Sequence, residues 1–383
     1  MKRLTVSCLM ICTCLGLMFA GCKKSGGEGN TETEIVEMTK APEIETETET
    51  AEPPKRLEGR NLLTGEPMEE EKACMRPLAV MLGNTVDALP QHGIGQADVL
   101  YEVPVEGGLT RLMAIFQDYT NLKALGSIRS CRHYFAYYAM EFDAIYMHYG
   151  QAPYAEPLLE SGKISDFNGL DAKVDSIAFY RDSSRKQPHN AFSTSEGIAA
   201  GIEYKEFETK YQDTFTGHYL FAADGETVDL KNGEDAKVAC PGFPISKPWF
   251  VYNEEDGLYY RYQYKDKHVD GDDSKQLAFK NLIFQYSNYG PAVGANGVKD
   301  TNGYLDVKTT GEGSGKYITN GKAIDITWKK ADENSPARYY DADGNEIIMN
   351  QGKTSVSIVL NDTVKRVGIY ASEAEYEEAK AAN

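Results

Sequence analysis

The chain has 383 residues, of which 26% are charged, and its formal net charge is −18 at pH 7. So acidic a chain argues against nucleic acid and against an anionic membrane surface as partners, because both would repel it. Net charge does not exclude a local basic pocket. The length is sufficient for two domains of ordinary size.

The first 22 residues are typical of a bacterial export signal. Lys2 and Arg3 precede an apolar run over residues 4–19, which is shorter than the roughly 20 residues of a membrane span. Ala20-Gly21-Cys22 resembles a lipobox. We therefore predict a lipoprotein signal peptide over residues 1–21 and a lipid on Cys22 that anchors the protein to the extracytoplasmic face of the cell membrane. The alternative is an ordinary signal peptide with a chance cysteine.

Residues 22–60 are rich in threonine and glutamate and show no apolar periodicity. Such a segment cannot bury enough surface to offset its ordering entropy, so we predict a disordered acidic tether. A partner-binding acidic tail is the alternative. The domain that follows is predicted over residues 61–215.

This domain is predicted to be α/β, with a mixed sheet and helices. Residues 77–82 form an apolar run that suits a strand buried on both faces, and Asn84 follows it. Strands and helices then alternate, and a hairpin makes the sheet partly antiparallel.

The predicted hairpin has one acidic face. Asp98, Glu102 and Glu106 alternate with valine and tyrosine, and Gly107-Gly108 predicts a two-residue loop. That loop would place Glu102 opposite Met113, with Arg111 diagonal to Glu102 and Glu106 on the same face. A one-residue shift of register would remove the arrangement. The alternative is a solvated edge with a weak ion pair.

Ser127-Ile-Arg-Ser-Cys-Arg132 is predicted to open an aromatic helix, with Ser130 as its N-cap. Arg129 and Arg132 would then flank a helix N-terminus, where free N–H groups and the helix dipole favour an anion. Two guanidinium groups suit a phosphate or a carboxylate. Alternatively, the two arginines bind the acidic strand.

His148 ends the next predicted strand, and His189-Asn190 lies in a later loop. Because consecutive strands are usually neighbours, we predict that Glu102, Glu106, Arg111, Arg129, Arg132 and His148 converge in one cleft, which His189 and Asn190 cover. The full set of predicted ligand-binding residues is Asn84, Glu102, Glu106, Arg111, Ser127, Arg129, Arg132, His148, His189 and Asn190. Asp98 and Glu102 are the candidate general bases if the protein is an enzyme.

No metal ion and no cofactor is predicted. The histidines and carboxylates lack the local spacing of a metal site, and Gly311-Glu-Gly-Ser-Gly315 lacks the strand-to-helix context of a phosphate loop. Cys74, Cys131 and Cys240 do not form a disulfide framework, although the sequence leaves a Cys74–Cys131 bridge open.

A second, β-rich domain is predicted over residues 240–371. Glu255-Asp-Gly257 separates two tyrosine-rich strands, and Asn320-Gly321 and Asp343-Gly344 mark further hairpins. Its tyrosines suit sheet packing, and a carbohydrate-stacking surface is the alternative.

The motifs together resemble one family, the YerB-type lipoproteins. Gln96-Ala-Asp-Val-Leu-Tyr-Glu-Val-Pro-Val-Glu-Gly-Gly-Leu-Thr-Arg111 and the segment from Ser127 to Arg132 carry this resemblance, which extends over residues 61–371. It implies an exported envelope protein with a two-part domain of unknown function. A fainter similarity links the Ser-Ile-Arg segment to the LytR-CpsA-Psr phosphotransferases, whose Ser-Ile-Pro-Arg-Asp sequence is absent.

Three functions follow as hypotheses. The first is a membrane-anchored lipoprotein that binds an anionic cell-envelope ligand at a cleft of arginines and carboxylates. The second is an envelope enzyme, a phosphotransferase or hydrolase acting on a lipid-linked or glycan substrate. The third is a scaffold for other envelope proteins.

Overall fold

The computed structural model describes residues 58–212, 215–294 and 296–382. The predicted signal peptide, the predicted lipidation site Cys22 and the predicted tether up to residue 57 lie outside these residues. Arg60, at the end of the predicted tether, forms an isolated β-bridge with Pro67. Of the helices in the described part, none combines the length and the apolar character needed to cross a bilayer.

The strands of the first half are β1 (Leu78–Gly83), β2 (Val99–Pro104), β3 (Thr110–Phe116), β4 (Leu125–Gly126), β5 (Ile145–His148), β6 (Asp166–Asn168), β7 (Tyr180–Arg181) and β8 (Ala191–Ser193). The strands of the second half are β9 (Leu220–Phe221), β10 (Glu234–Asp235), β11 (Val238–Cys240), β12 (Trp249–Asn253), β13 (Leu258–Gln263), β14 (Asp266–Lys267), β15 (Ala278–Phe279), β16 (Asn281–Ser287), β17 (Tyr289–Pro291), β18 (Leu305–Val307), β19 (Gly311–Thr319), β20 (Lys322–Lys330), β21 (Arg338–Tyr340), β22 (Ile348–Met349), β23 (Thr354–Leu360) and β24 (Gly368–Tyr370). The helices are α1 (Glu70–Ala73), α2 (His133–Met140), α3 (Glu156–Leu159), α4 (Ala172–Ala178), α5 (Ser195–Lys205) and α6 (Glu373–Ala381).

The largest sheet is mixed and draws strands from both halves of the chain. Its order is β10-β20-β19-β16-β23-β2-β3-β1-β5-β6, and β21 pairs with β20. β23 is parallel to β2, with Val99 opposite Thr354, so the two halves share one continuous sheet. A smaller sheet, β14-β13-β12-β11-β24 with β15 on β13, is built from the second half. The predicted mixed sheet with helices and a β-rich second half is confirmed.

Two apolar layers sandwich the large sheet. On one face, helix α2 packs Phe135, Tyr138 and neighbouring aromatic residues against the odd-numbered side chains of β2, such as Tyr101. On the other face, helices α4 and α5 and the smaller sheet pack against the even-numbered side chains, such as Leu100. The alternation in β2 therefore assigns each residue to a face, as predicted for a strand.

The β2–β3 hairpin differs from the prediction by one residue. Its loop contains Glu106 as well as the two glycines, and the Val105 amide donates to the Leu109 carbonyl oxygen. Glu102 consequently lies opposite Leu112, and Arg111 lies opposite Val103. This shift moves Arg111 to the other face of the sheet from Glu102, so the predicted Glu102–Arg111 arrangement is wrong.

Candidate functional site

The candidate site lies at one edge of the large sheet, where parallel strands end. β1 ends at Gly83 and β5 ends at His148, and these two strands are parallel neighbours. Residues 127–131 run along this edge: the Arg129 amide donates to the Met81 carbonyl oxygen, and the Tyr149 amide donates to the Arg129 carbonyl oxygen. Ligands of α/β proteins commonly bind outside the carboxyl ends of parallel strands.

Arg111 and Arg129 reach this edge on the same face of the sheet. Gly83 lies directly opposite Arg111 in the β1–β3 ladder, so a side chain at position 83 would share the face of Arg111. A Cβ atom at Gly83 would lie 3.1 Å from Cγ of Arg129 and 2.9 Å from Cβ of Ala88. The missing side chain of Gly83 thus gives Arg129 the space to cross β1 toward Arg111. We call Arg111 and Arg129 the arginine pair.

The charge of the arginine pair is not neutralised by ion pairing. Arg111 donates to the Ser130 carbonyl oxygen, and Arg129 Nη1 lies 3.0 Å from Nδ1 of His189. Among the described residues, no carboxylate comes within 4.0 Å of either guanidinium in an ion pair. Burial, with repulsion by Arg132 and Arg129, lowers the pKa of Arg111 to about 9. The pair is therefore a half-buried positive centre that a bound anion would stabilise.

Arg132 has a different role, because Glu106 neutralises it. Nε and Nη2 of Arg132 donate to the two carboxylate oxygens of Glu106 at 2.6 and 2.7 Å. Burial raises the pKa of Glu106, but the hydrogen bonds and charge of Arg132 outweigh burial, and the pKa is lowered overall. The Tyr304 ring covers the guanidinium at 5.4 Å. Arg132 is itself the N-cap of α2, so the predicted Ser130 cap is wrong.

The later loop contacts the site through two adjacent residues. Because an arginine N–H must donate, Nδ1 of His189 accepts and is unprotonated in the contact with Arg129. Oδ1 of Asn190 accepts from Nη1 of Arg181 at 3.0 Å. The guanidinium of Arg181 stacks over the Tyr149 ring, 4.1 Å from its centroid. Nothing in the sequence had marked Arg181, which ends a two-residue strand.

Glu102 and Asn84 lie on the opposite face, away from the arginine pair. Oε1 of Glu102 accepts from Asn84, Thr110 and Ser246, and Oε2 lies 2.9 Å from Nη2 of Arg261. Glu102 is 1% exposed. The prediction that Glu102 and Asn84 line the arginine cleft is wrong, because Glu102 points to the other face of the sheet from Arg111 and Asn84 is bonded to Glu102 and Thr110 in a buried network there.

Asp98 precedes β2 and lies at the other end of this strand from Glu106. A strand of six residues is about 20 Å long, so Asp98 cannot act as a base beside the arginine pair. Its carboxylate accepts from the Asn61 side chain at 3.0 Å and from the Gln117 amide at 2.7 Å. Burial raises the pKa of Asp98 to about 6.

His148 and Ser127 are fully buried, so neither faces the solvent side of the site. Nδ1 of His148 contacts the Gly150 carbonyl oxygen at 2.9 Å, and Nε2 lies 3.2 Å from Oδ2 of Asp166. The Ser127 carbonyl oxygen accepts from the Gly83 amide and so fixes the segment that carries Arg129. Of the predicted cleft, Glu106, Arg111, Arg129 and Arg132 come together, whereas Glu102 and His148 do not belong to it.

The thiol of Cys131 is free and contacts the Arg132 carbonyl oxygen at 3.2 Å, so it forms no bridge with Cys74. Burial raises the pKa of this thiol to about 12, which makes it a poor nucleophile. Within the described ranges, no group of three or more histidine, cysteine, aspartate or glutamate side chains is arranged to hold a metal ion.

Comparison with known proteins places this geometry in context. Residues 63–208 match the N-terminal domain, and residues 242–356 the C-terminal domain, of the protein of unknown function DUF3048. The chain is 29% identical over 308 residues to the Bacillus subtilis protein named "Putative lipoprotein YerB", covering 78% of this chain and 85% of that protein. It is also similar to the crystal structure of the YerB protein from Bacillus subtilis, with a TM-score of 0.70 and 27% identity, covering 81% of this chain and 99% of that one.

Proposed function

Since the chain belongs to the DUF3048 family, we propose that it is a lipid-anchored protein of the extracytoplasmic membrane face that binds an anionic cell-envelope ligand at the arginine pair. The anchor is proposed at Cys22, and the acidic segment that follows would hold the folded part away from the membrane.

Two observations support the proposed anchor. The chain begins with a basic and then apolar segment that ends in Ala20-Gly21-Cys22, as a lipoprotein signal does. The Bacillus subtilis relative is named as a lipoprotein. A single acyl chain binds a bilayer only marginally, so a lipidated Cys22 would need more than one chain for stable attachment.

The observation that carries the proposed binding function is the uncompensated charge of the arginine pair. Two half-buried guanidinium groups lie on one face without a carboxylate partner, in a chain whose net charge is −18. Placing like charges together and away from water costs free energy, and a bound phosphate or carboxylate recovers it through charge-assisted hydrogen bonds.

The ion pair of Arg132 with Glu106 supports the same function indirectly. It anchors the N-terminus of α2 to the β2–β3 loop and so fixes the segment from which Arg129 and the Ser130 carbonyl oxygen project. Asp98 and Glu102, the two candidate general bases, lie at the far edge and on the far face. Binding therefore fits the geometry better than acid–base catalysis at this site.

Orthophosphate is the simplest probe of the proposed site. Isothermal titration calorimetry at low ionic strength should detect phosphate binding to the wild-type protein and its loss in Arg111→Gln/Arg129→Gln. The matched control is Lys231→Gln, which removes one positive charge from an exposed loop position. Binding that persists unchanged in the double variant would refute the proposal.

A separate experiment tests the anchor. Cys22→Ser should move the protein from the membrane fraction to the soluble or released fraction and should remove the lipid mass from its N-terminal peptide. Continued membrane association of the Cys22→Ser protein would contradict the proposed lipid anchor.

A further inference from the structure

We propose that Arg181 extends the arginine pair into a three-point site for a linear chain of phosphate groups, a polyphosphate or a phosphodiester polymer without bases. This inference rests on the proposed anion-binding function and adds the class of ligand. It also assigns a role to an arginine outside the predicted site.

Arg181 has donors to offer a ligand. Its side chain is exposed, and its Nη1 binds the neutral amide oxygen of Asn190 rather than a carboxylate. Stacking on the Tyr149 ring at 4.1 Å holds the guanidinium plane in place. A cation that is positioned by neutral partners keeps its charge available to an anion, as the arginine pair does.

Strand pairing sets the backbone spacing between β7, which carries Arg181, and the segment that carries Arg129. The Ile128 amide donates to the Ala191 carbonyl oxygen, and Ala191 lies opposite Arg181 in the β7–β8 ladder. The segment that carries Arg129 is therefore two strand spacings from β7, about 10 Å. His189 contacts Arg129 while its neighbour Asn190 contacts Arg181, so adjacent residues of one loop hold both arginines.

Such a spacing favours several linked anionic groups over one. A single phosphate that sits against the arginine pair leaves Arg181 without an anionic partner, whereas a second phosphate on the same chain can reach it. Linking the two groups makes the second contact intramolecular and raises the affinity. The planar guanidinium groups suit successive phosphates along a chain.

Two other arginines at this edge, Arg185 and Arg132, already bind protein groups and are therefore not assigned to the proposed ligand. Nη1 and Nη2 of Arg185 donate to the carbonyl oxygens of Ala88 and Pro90, and Nε lies 3.6 Å from Asp182. Arg132 is bonded to Glu106 on two donors. These two residues hold loops, whereas no ion pair among the described residues engages Arg111, Arg129 or Arg181.

The test measures how affinity depends on chain length at one fixed ionic strength. Orthophosphate, tripolyphosphate and an oligo(glycerol phosphate) are titrated into the wild-type protein, Arg181→Gln, Arg111→Gln/Arg129→Gln and the control Lys231→Gln. We expect tripolyphosphate to bind the wild type at least about 10-fold more tightly than orthophosphate. Arg181→Gln should reduce this gain to about threefold or less and leave orthophosphate binding within about twofold of the wild type.

Each outcome decides one question. If orthophosphate binds but the gain from tripolyphosphate survives in Arg181→Gln, the inference is wrong and the proposed function stands. If no phosphate species binds any form of the protein, the proposed function fails as well. A larger gain in affinity with oligo(glycerol phosphate) than with tripolyphosphate, each relative to orthophosphate, identifies a phosphodiester polymer as the ligand class. A larger gain with tripolyphosphate identifies polyphosphate. A single-stranded oligonucleotide that binds as tightly as either would overturn the inference in favour of generic polyanion binding.

Asn190→Ala provides a second variant that keeps the charge of Arg181 and removes its hydrogen-bond acceptor. It should weaken tripolyphosphate binding by a smaller factor than Arg181→Gln does, about twofold, because Arg181 then loses orientation but not charge. An unchanged affinity for tripolyphosphate in both Asn190→Ala and Arg181→Gln would overturn the proposal.

Discussion

Glu102 and Arg261 form a fully buried ion pair, with 2.9 Å between Oε2 and Nη2, although 159 residues separate them in the chain. Nε of Arg261 also donates to Nδ1 of His268, whose Nε2 lies 2.8 Å from Oε1 of Gln91. This network joins β2 of the large sheet to β13 of the smaller one. Glu102 is therefore a structural residue at the junction of the two sheets.

The first prediction is that Glu102→Gln destabilises the fold without weakening phosphate binding. It leaves the buried Arg261 charge without its partner, which typically costs about 3–5 kcal/mol. Urea denaturation measures the loss. The double variant Glu102→Gln/Arg261→Met should recover part of it, because both charges are then absent. Unchanged stability in Glu102→Gln, or loss of phosphate binding in the folded variant, would contradict this assignment.

The second prediction concerns Gly83. An alanine there would place its Cβ atom against Cγ of Arg129 and Cβ of Ala88, so Arg129 must move away from Arg111. We expect Gly83→Ala to weaken orthophosphate binding about 5- to 20-fold, the equivalent of about 1–2 kcal/mol. Calorimetry provides the measurement, and thermal denaturation verifies that the variant is folded. Gly290→Ala, whose added Cβ atom would meet no heavy atom within 4 Å and whose φ lies outside the left-handed region, serves as the control for glycine substitution. Wild-type affinity in Gly83→Ala would argue against this placement of Arg129.

The third prediction is that a bound anion changes the pKa of His189. Burial and the charge of Arg129 lower the pKa of His189, although Asp87 opposes the shift and Arg185 adds to it. A lowered pKa means that the unfolded chain takes up the proton first, so this group's contribution to stability is lost as the pH falls below about 6.5. A bound phosphate should raise the pKa of His189, and protonation of His189 should in turn strengthen phosphate binding as the pH falls. NMR titration of the histidine rings measures the pKa of His189 with and without phosphate, and comparison with His189→Asn assigns the His189 signal. A pKa that is the same with and without phosphate would contradict a site beside His189.

The fourth prediction concerns Asp98, whose pKa burial raises to about 6. The folded state then binds this proton more tightly than the unfolded chain does. The protein should therefore gain stability from this group as the pH falls from about 6 to about 4, by about 1–2 kcal/mol after allowance for partial exposure. Denaturation curves over this pH range should show the gain in the wild type and lose it in Asp98→Asn. An identical pH profile in the two proteins would mean that Asp98 titrates normally.

Local periodicity was sufficient to predict the layers of the fold. Val99, Tyr101 and Val103 share one apolar face, as their alternation in the sequence predicted, and Phe135 and Tyr138 of α2 belong to the core on that face. The Asn320-Gly321 hairpin also follows from local chemistry. Both residues have positive φ, 48° and 73°, which the turn between β19 and β20 requires.

The wrong predictions about the candidate site have two causes, one local in the sequence and one that depends on distant residues. Gly107-Gly108 correctly predicted a turn, but Glu106 joined the loop, and the extra residue exchanged the face of Arg111 relative to Glu102. No pattern within residues 98–113 could reveal that Arg261 would neutralise Glu102. Arg181 was missed because its role depends on Tyr149 and Asn190, which the strand pairing brings together.

The central claim is that Arg111 and Arg129 together hold an anion. The most direct measurement is a crystal structure of the protein soaked in orthophosphate and compared with Arg111→Gln/Arg129→Gln treated in the same way. We predict density for a phosphate within hydrogen-bonding distance of both guanidinium groups in the wild type, and none there in the double variant. Phosphate that binds only elsewhere in the wild-type crystal, or that remains in place in the double variant, would contradict the claim.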